Sequence, residues 1–256
     1  MNLSDQTVLI TGAAGRIGSA AANLCLEYGA SLVLVDISKE RLESFVNQMP
    51  ADLQNKVSTI VCDLTSEQQL NQLFLKINES PFLITSAVHS AYPTSSGWGT
   101  SFEDLTPKNL ASDLCSQLGG AILFSQKMMN YFQENSAGNL IHISSIQGIS
   151  APKFEHYHGT NMSSPIEYSA IKAGVIAITR WLSKYYSNQN IRVNCVSPGG
   201  ILDNQPESFL QAYRESCTNI GMLSSKQVAE CICFLLSSSS AAINGQNIIV
   251  DDGWSL

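Results

Sequence analysis

Tyr168 and Lys172 stand four residues apart in Tyr168-Ser169-Ala170-Ile171-Lys172, a stretch of helical character. Side chains at i and i+4 share a helix face, so phenol and ammonium reach one small volume. A tyrosine ordinarily ionises near pH 10, and a neighbouring cation favours phenolate by about 1.4 kcal/mol for each unit of pKa depression. The pair therefore reads as a general acid or base for work near neutral pH. Upstream, Ser164, Pro165 and Glu167 have the spacing of a capping box, with serine as N-cap and proline at the first helical position. That spacing predicts Tyr168 in the first turn, at the mouth of a site.

A second chemical stretch runs from Thr11 to Gly18, Thr-Gly-Ala-Ala-Gly-Arg-Ile-Gly, between a β-rich run at residues 7–10 and a helical pattern at 17–28. At such a turn a dinucleotide pyrophosphate rests on free amides at the positive end of the helix dipole, and Gly12, Gly15 and Gly18 let it approach. Arg16 and Ile17 share that turn. Asp36 ends the next apolar run, 18 residues beyond Gly18, where a carboxylate accepts from both adenosine ribose hydroxyls. A 2′-phosphate about 4 Å away would cost on the order of 4 kcal/mol at an effective dielectric of about 20, so NAD is expected over NADP. Arg16, close to the phosphates, softens that preference. Asp63 and Leu64, closing a third strand, suit the edge of an adenine ring.

Strands expected at 7–10, 31–36, 57–63, 82–88, 139–143, 191–196 and 246–251 must position these residues. Helices are expected between them, at 17–28, 39–49, from 67 after a Thr65 cap, 107–133, through Tyr168 to about 188, and 225–237. Seven strands alternating with helices predict a single-domain, Rossmann-type, doubly wound parallel α/β sheet with helices on both faces. Residues 146–167 read as a substrate loop and 201–222 as a polar lid.

The chain has 256 residues, 44% hydrophobic and 14% charged, with a formal charge of −7. That excludes a basic nucleic-acid surface, and no apolar run is long enough for a membrane span or a secretory signal, so the cytoplasm is expected. Seven cysteines, mostly in apolar runs, read as small core residues in a reducing compartment. Glu155, His156 and His158 sit close in sequence, but clustered polar loop residues usually bind nothing, and no metal is expected.

With the glycine turn, Asp36, Ser145, Tyr168 and Lys172 in that order, the sequence resembles the short-chain dehydrogenase/reductase family over nearly its whole length. Asn194, Ser197, Pro198 and Gly199, and the closing Asp251-Asp252-Gly253, add to the match. The resemblance implies that Tyr168 exchanges a proton with the substrate oxygen and that Ser145 hydrogen-bonds that oxygen. It implies that Lys172 holds the nicotinamide ribose and lowers the Tyr168 pKa, with backbone near Ile201 meeting the carboxamide. Three departures stand out. Arg16 occupies the usual middle glycine position, with Gly15 one residue earlier. His89-Ser90-Ala91-Tyr92 replaces Asn-Asn-Ala-Gly beside the cofactor. Gln117-Leu118-Gly119-Gly120 replaces Asn-x-x-Gly, which makes Gln117 the candidate for holding the proton-relay water.

Ala91-Tyr92-Pro93, Gly159-Thr160-Asn161-Met162 and the run 197–206 also resemble bacterial short-chain oxidoreductases of flagellin modification, a group associated with unusual amino sugars. That likeness implies a small polar substrate such as an amino sugar or sugar phosphate. The loop between Ser145 and Tyr168, longer than usual for the family, carries Lys153, Glu155, His156, Tyr157, His158, Thr160 and Asn161 as donors and acceptors for it. Tyr92 and Trp98 are further candidates. The expected function is hydride transfer between NAD(H) and a secondary alcohol or ketone, in a homo-oligomer, tetramer or dimer, by family analogy. The rivals are a 3-oxoacyl-thioester reductase, which should be more basic to meet an acidic carrier, and a non-catalytic dinucleotide sensor or scaffold.

Overall fold

The computed structural model describes residues 1–79 and 82–256. In chain order it forms β1 (Thr7–Thr11), α1 (Arg16–Glu27), β2 (Ser31–Asp36), α2 (Lys39–Asn47), β3 (Val57–Val61), α3 (Glu67–Asn78), β4 (Ser86–His89), α4 (Pro107–Asp113) and α5 (Gly120–Glu134). Then follow β5 (Gly138–Ile143), α6 (Ile166–Tyr185), β6 (Ile191–Pro198), α7 (Glu207–Glu215), α8 (Ser225–Leu236) and β7 (Asn247–Val250). All the strands are parallel, in the order β3-β2-β1-β4-β5-β6-β7. The winding reverses between β1 and β4, and such a switch point opens a crevice at the carboxyl ends of the strands.

Alternation along the strands builds the core. Val8 and Ile10 point to the face covered by α1 and α8, where Ala21, Cys25, Val228 and Ile232 are buried. Leu9, between them, points to the face covered by α3, α5 and α6, against Leu73, Phe124, Met128 and Leu182. Each such side chain stabilises the fold by about 1.5–3 kcal/mol relative to exposure. Several polar groups inside the sheet are paired, although the Asn139 Oδ1 is not. His142 is held by Ser125 at 2.8 Å and Thr179 at 2.8 Å, and Asn139 donates to the Leu235 carbonyl at 2.9 Å.

Several expected elements differ. The helix expected at 107–133 is interrupted by a π-helical turn, Leu114–Gly119, which lets Leu118 pack over Gly174 of α6, where a Cβ would come within 2.8 Å of it. Residues 82–85 are not strand. Phe82 and Leu83 face outward, and the Ile84 amide donates to the Tyr131 hydroxyl at 3.1 Å. The α3 cap is Ser66 rather than Thr65, because the Thr65 hydroxyl donates to Asp63 at 2.7 Å. No capping box opens α6: Pro165 is the N-cap residue, without a side-chain bond. Ser164 instead donates to Gln147 at 2.7 Å, while Glu167 is buried. The lid contains a helix, α7, whose Phe209 and Tyr213 are buried one turn apart.

Candidate active site

Thr11 ties the two sides of the switch point together: its hydroxyl accepts from the amides of Ser90 at 3.2 Å and Ala91 at 3.3 Å. Gly12 follows with φ +62°, and a Cβ there would meet the backbone of Ser90 and Ala91 at 2.8 Å. At Gly18 a Cβ would lie 2.2 Å from the Gly12 carbonyl, so only glycine lets α1 start this close to β1. The first turn of α1 has no side-chain cap, which leaves the amides of Arg16, Ile17 and Gly18 for an anion. A crevice of about 550 Å³ opens here, lined among others by Gly12, Gly15, Asp36, Asp63, Leu64, Ser90 and Ala91. An uncapped helix start beside a buried carboxylate suits the adenosine and phosphates of a dinucleotide.

Asp36 is buried, and its oxygens accept from the amides of Ala14 at 3.0 Å and Ser38 at 3.2 Å. These bonds aim the carboxylate, and each oxygen keeps a lone pair for a ribose hydroxyl. Arg16 pairs with Asp203 of the lid, so its guanidinium spans from the glycine turn to the lid instead of turning into the crevice. Pro198 ends β6 on the same carboxyl edge, Gly199 follows it, and Ile201 bridges to Leu223.

At the inner end of this edge stand Ser145, Tyr168 and Lys172. Ser145 follows β5 and is buried. Gly148, three residues on, touches the backbone of Lys172, where a Cβ would come within 2.7 Å. This close pass holds the Ser145 turn against α6. Lys172 is buried, its ammonium donates to the Ile143 carbonyl at 3.1 Å, and it lies 5.6 Å from the centre of the Tyr168 ring.

The electrostatics correct the expectation that Lys172 lowers the Tyr168 pKa. Burial raises the phenol above its ordinary value, the Ser145 hydroxyl draws it back, and Tyr157 adds to the rise. Burial also pulls Lys172 down to about 8. A lysine that gives up its own proton near pH 8 supplies little positive charge at the pH where a phenol ionises. Tyr168 therefore carries its proton at neutral pH, poised as an acid.

Gln117 projects from the π turn into the interior, with neither amide atom hydrogen-bonded to protein. Leaving such a group unpaired costs about 1–3 kcal/mol, and a water there would satisfy it. His156 departs from its expected role as a substrate ligand. It is buried among Phe209, Tyr213 and Trp254, and bonds Ser216 at 2.9 Å, tying the substrate loop to the lid. Among the described residues no group of histidine, cysteine or carboxylate side chains could hold a metal. Asp113, which belongs to no motif, is fully buried, and its carboxylate takes the Ser95 amide and hydroxyl, both at 2.9 Å. Its only signal was an acid at an inward position of α4.

A family model described as Enoyl-(Acyl carrier protein) reductase, of the short-chain dehydrogenase type, matches residues 12–255. The chain belongs to the short-chain dehydrogenase/reductase family. It is an oxidoreductase of the type acting on CH–OH groups. Post-translational flagellin modification protein A of Campylobacter coli is 38% identical over 99% of this chain and 100% of its own. A 3-oxoacyl-acyl-carrier-protein reductase of Thermotoga maritima is 30% identical over 99% of both chains. Among solved structures, a short chain dehydrogenase of Leptospira borgpetersenii with bound NAD+ superposes with a TM-score of 0.88 at 29% identity, covering 100% of this chain and 96% of that one. Among the described residues no helix is long and apolar enough to cross a membrane.

Proposed function

We propose that this member of the short-chain dehydrogenase/reductase family moves hydride between NAD(H) and a secondary alcohol or ketone of a polar, sugar-type metabolite, in the cytoplasmic synthesis of a flagellin glycan of the nonulosonate kind. The observation that carries the reading is the convergence of Ser145, Tyr168 and Lys172 on the same carboxyl edge as the crevice lined by Gly12 and Asp36. The flagellin modification protein, similar end to end at 38% identity, supports the sugar class. Nicotinamide, when bound, supplies or takes the hydride.

The chain's own residues do the rest. Ser145 orients the reacting oxygen, Tyr168 gives it a proton in reduction or removes one in oxidation, and Lys172 holds the ribose hydroxyls. Gln117 holds a water through its unpaired amide and links the site to solvent. The lid, 201–222, and the substrate loop, 146–167, close over the substrate as one body through the His156–Ser216 contact. The working form is a homo-oligomer.

The family match and the Thermotoga maritima relative favour a second reading, reduction of a 3-oxoacyl thioester, against which stands a sequence pI of about 5.0. Following NADH absorbance over a panel of sugars, nucleotide sugars and acyl thioesters decides between them. Turnover of thioesters alone overturns the sugar reading. Tight NADH binding with silence across the panel favours a non-catalytic sensor.

Cofactor choice has its own test. Asp36→Ala removes the carboxylate that accepts ribose hydroxyls and repels a 2′-phosphate, so the ratio of kcat/KM for NAD over NADP falls by about tenfold to a hundredfold. An unchanged ratio, measured with one substrate and both cofactors, shows that β2 does not read the ribose.

A further inference from the structure

The surroundings of Tyr168 have two chemical sides. One is aromatic. Tyr92 and Trp98 meet the Tyr168 ring edge-on, with centroids 5.8 Å and 6.1 Å away, and meet each other at 5.4 Å. Tyr92 is 43% exposed and Trp98 is partly exposed. The other side is polar and uncharged. It is made by the substrate loop: Ser164 donates to Gln147 at 2.7 Å, and Tyr157 lies beside them.

The aromatic side is fixed in advance. Asp113, buried in α4, clamps Ser95 through its amide and its hydroxyl. The Ser95 hydroxyl in turn accepts from the Gly97 amide at 3.2 Å, and the Trp98 amide donates to the Ser95 carbonyl at 3.2 Å. A Cβ at Gly97 would overlap Asn109, 2.1 Å away. The loop that carries both rings is thus bolted to α4, so little ordering entropy is lost when a ligand lands on it.

We propose that the Trp98 ring, with Tyr92 set perpendicular at its side at 87°, forms a stacking wall for a pyranose ring, with Tyr157, Gln147 and Ser164 reading its hydroxyl rim while the carbinol faces Tyr168. The proposal deepens the sugar reading and rests on it. A pyranose presents apolar C–H faces and a polar edge, the same two sides found here. Electron-rich ring faces attract C–H hydrogens, and polar groups placed to bond hydroxyls discriminate strongly against ligands that lack them. An acyl chain or a steroid would cover the wall but offer the rim no hydroxyl to bond.

The test compares oxidation of UDP-N-acetylglucosamine and N-acetylneuraminate with oxidation of isopropanol, an acyclic secondary alcohol. Trp98→Leu keeps apolar bulk without an aromatic face, and Trp98→Phe keeps the face; circular dichroism checks that both fold. In Trp98→Leu the kcat/KM ratio of ring over acyclic substrate falls about tenfold or more, mainly through KM, while Trp98→Phe stays within about threefold of the native ratio. Turnover of the sugars with a ratio unmoved by Trp98→Leu overturns the wall and leaves the sugar reading standing. Absence of sugar turnover in the native enzyme, whether or not acetoacetyl-CoA is reduced, overturns that reading and the wall with it.

Discussion

Tyr168→Phe is expected to lower kcat by about a thousandfold while leaving NADH affinity within about twofold, because it removes only the proton-transfer group. The ring itself, set against Tyr92 at 5.8 Å and Trp98 at 6.1 Å, is kept, so the pocket does not collapse and the loss is chemical. The pH profile follows from the direction of the shift. Burial holds the phenol above its usual value, so the acid form is present across neutral pH. Reduction should run at a flat rate there and fall only as the phenol ionises, while oxidation should rise with pH. A Phe variant within about tenfold of the native rate would take the tyrosine out of the mechanism.

Much of the frame could be read from residue order because parallel sheets are patterned locally. The apolar runs at β1, β2 and β5 are buried on both faces, and the glycine turn after β1 has one geometric solution, in which Gly12 and Gly18 are pressed against backbone. What was not legible depends on contacts far apart in the chain. Ser164 has the spacing of an N-cap, yet its hydroxyl is claimed by Gln147, 17 residues upstream. The π turn at Leu114–Gly119 answers to packing on α6. His156 reads as polar loop until the aromatic residues of α7 and Trp254 are folded around it. The helix in the lid did leave a trace, Phe209 and Tyr213 one turn apart, obscured by its polar surroundings. Charge was the hardest to read: the i, i+4 spacing of Tyr168 and Lys172 says that they meet, but burial decides which of them holds a proton.

Lys172→Met is expected to abolish turnover and, at neutral pH, to make the protein more stable. The folded chain buries this ammonium with one hydrogen bond, to the Ile143 carbonyl, and two ring faces, Tyr92 at 5.2 Å and Tyr168 at 5.6 Å. Its pKa falls from 10.5 to about 8, which at about 1.4 kcal/mol per unit is a penalty of roughly 3 kcal/mol for the charged form. Methionine fills similar volume without it, at a cost of about 1 kcal/mol for the orphaned carbonyl and about 1 kcal/mol for the lost ring contacts. A net gain of about 1 kcal/mol at pH 7 follows, or roughly 2–4 °C in Tm for a chain of this size. Below pH 8 the folded and unfolded states are both protonated, so native enzyme carries the full penalty. Between about 8 and 10.5 the unfolded chain holds the proton that the folded one has shed, so native stability rises with pH and the advantage of Met shrinks. Above that window neither state is charged, and the Met variant should be the less stable of the two. Melting curves at about pH 7 and pH 10 read both signs. A variant less stable than native at pH 7 would mean that the buried ammonium supports the fold, whereas the expected crossing identifies Lys172 as a group kept at the expense of stability.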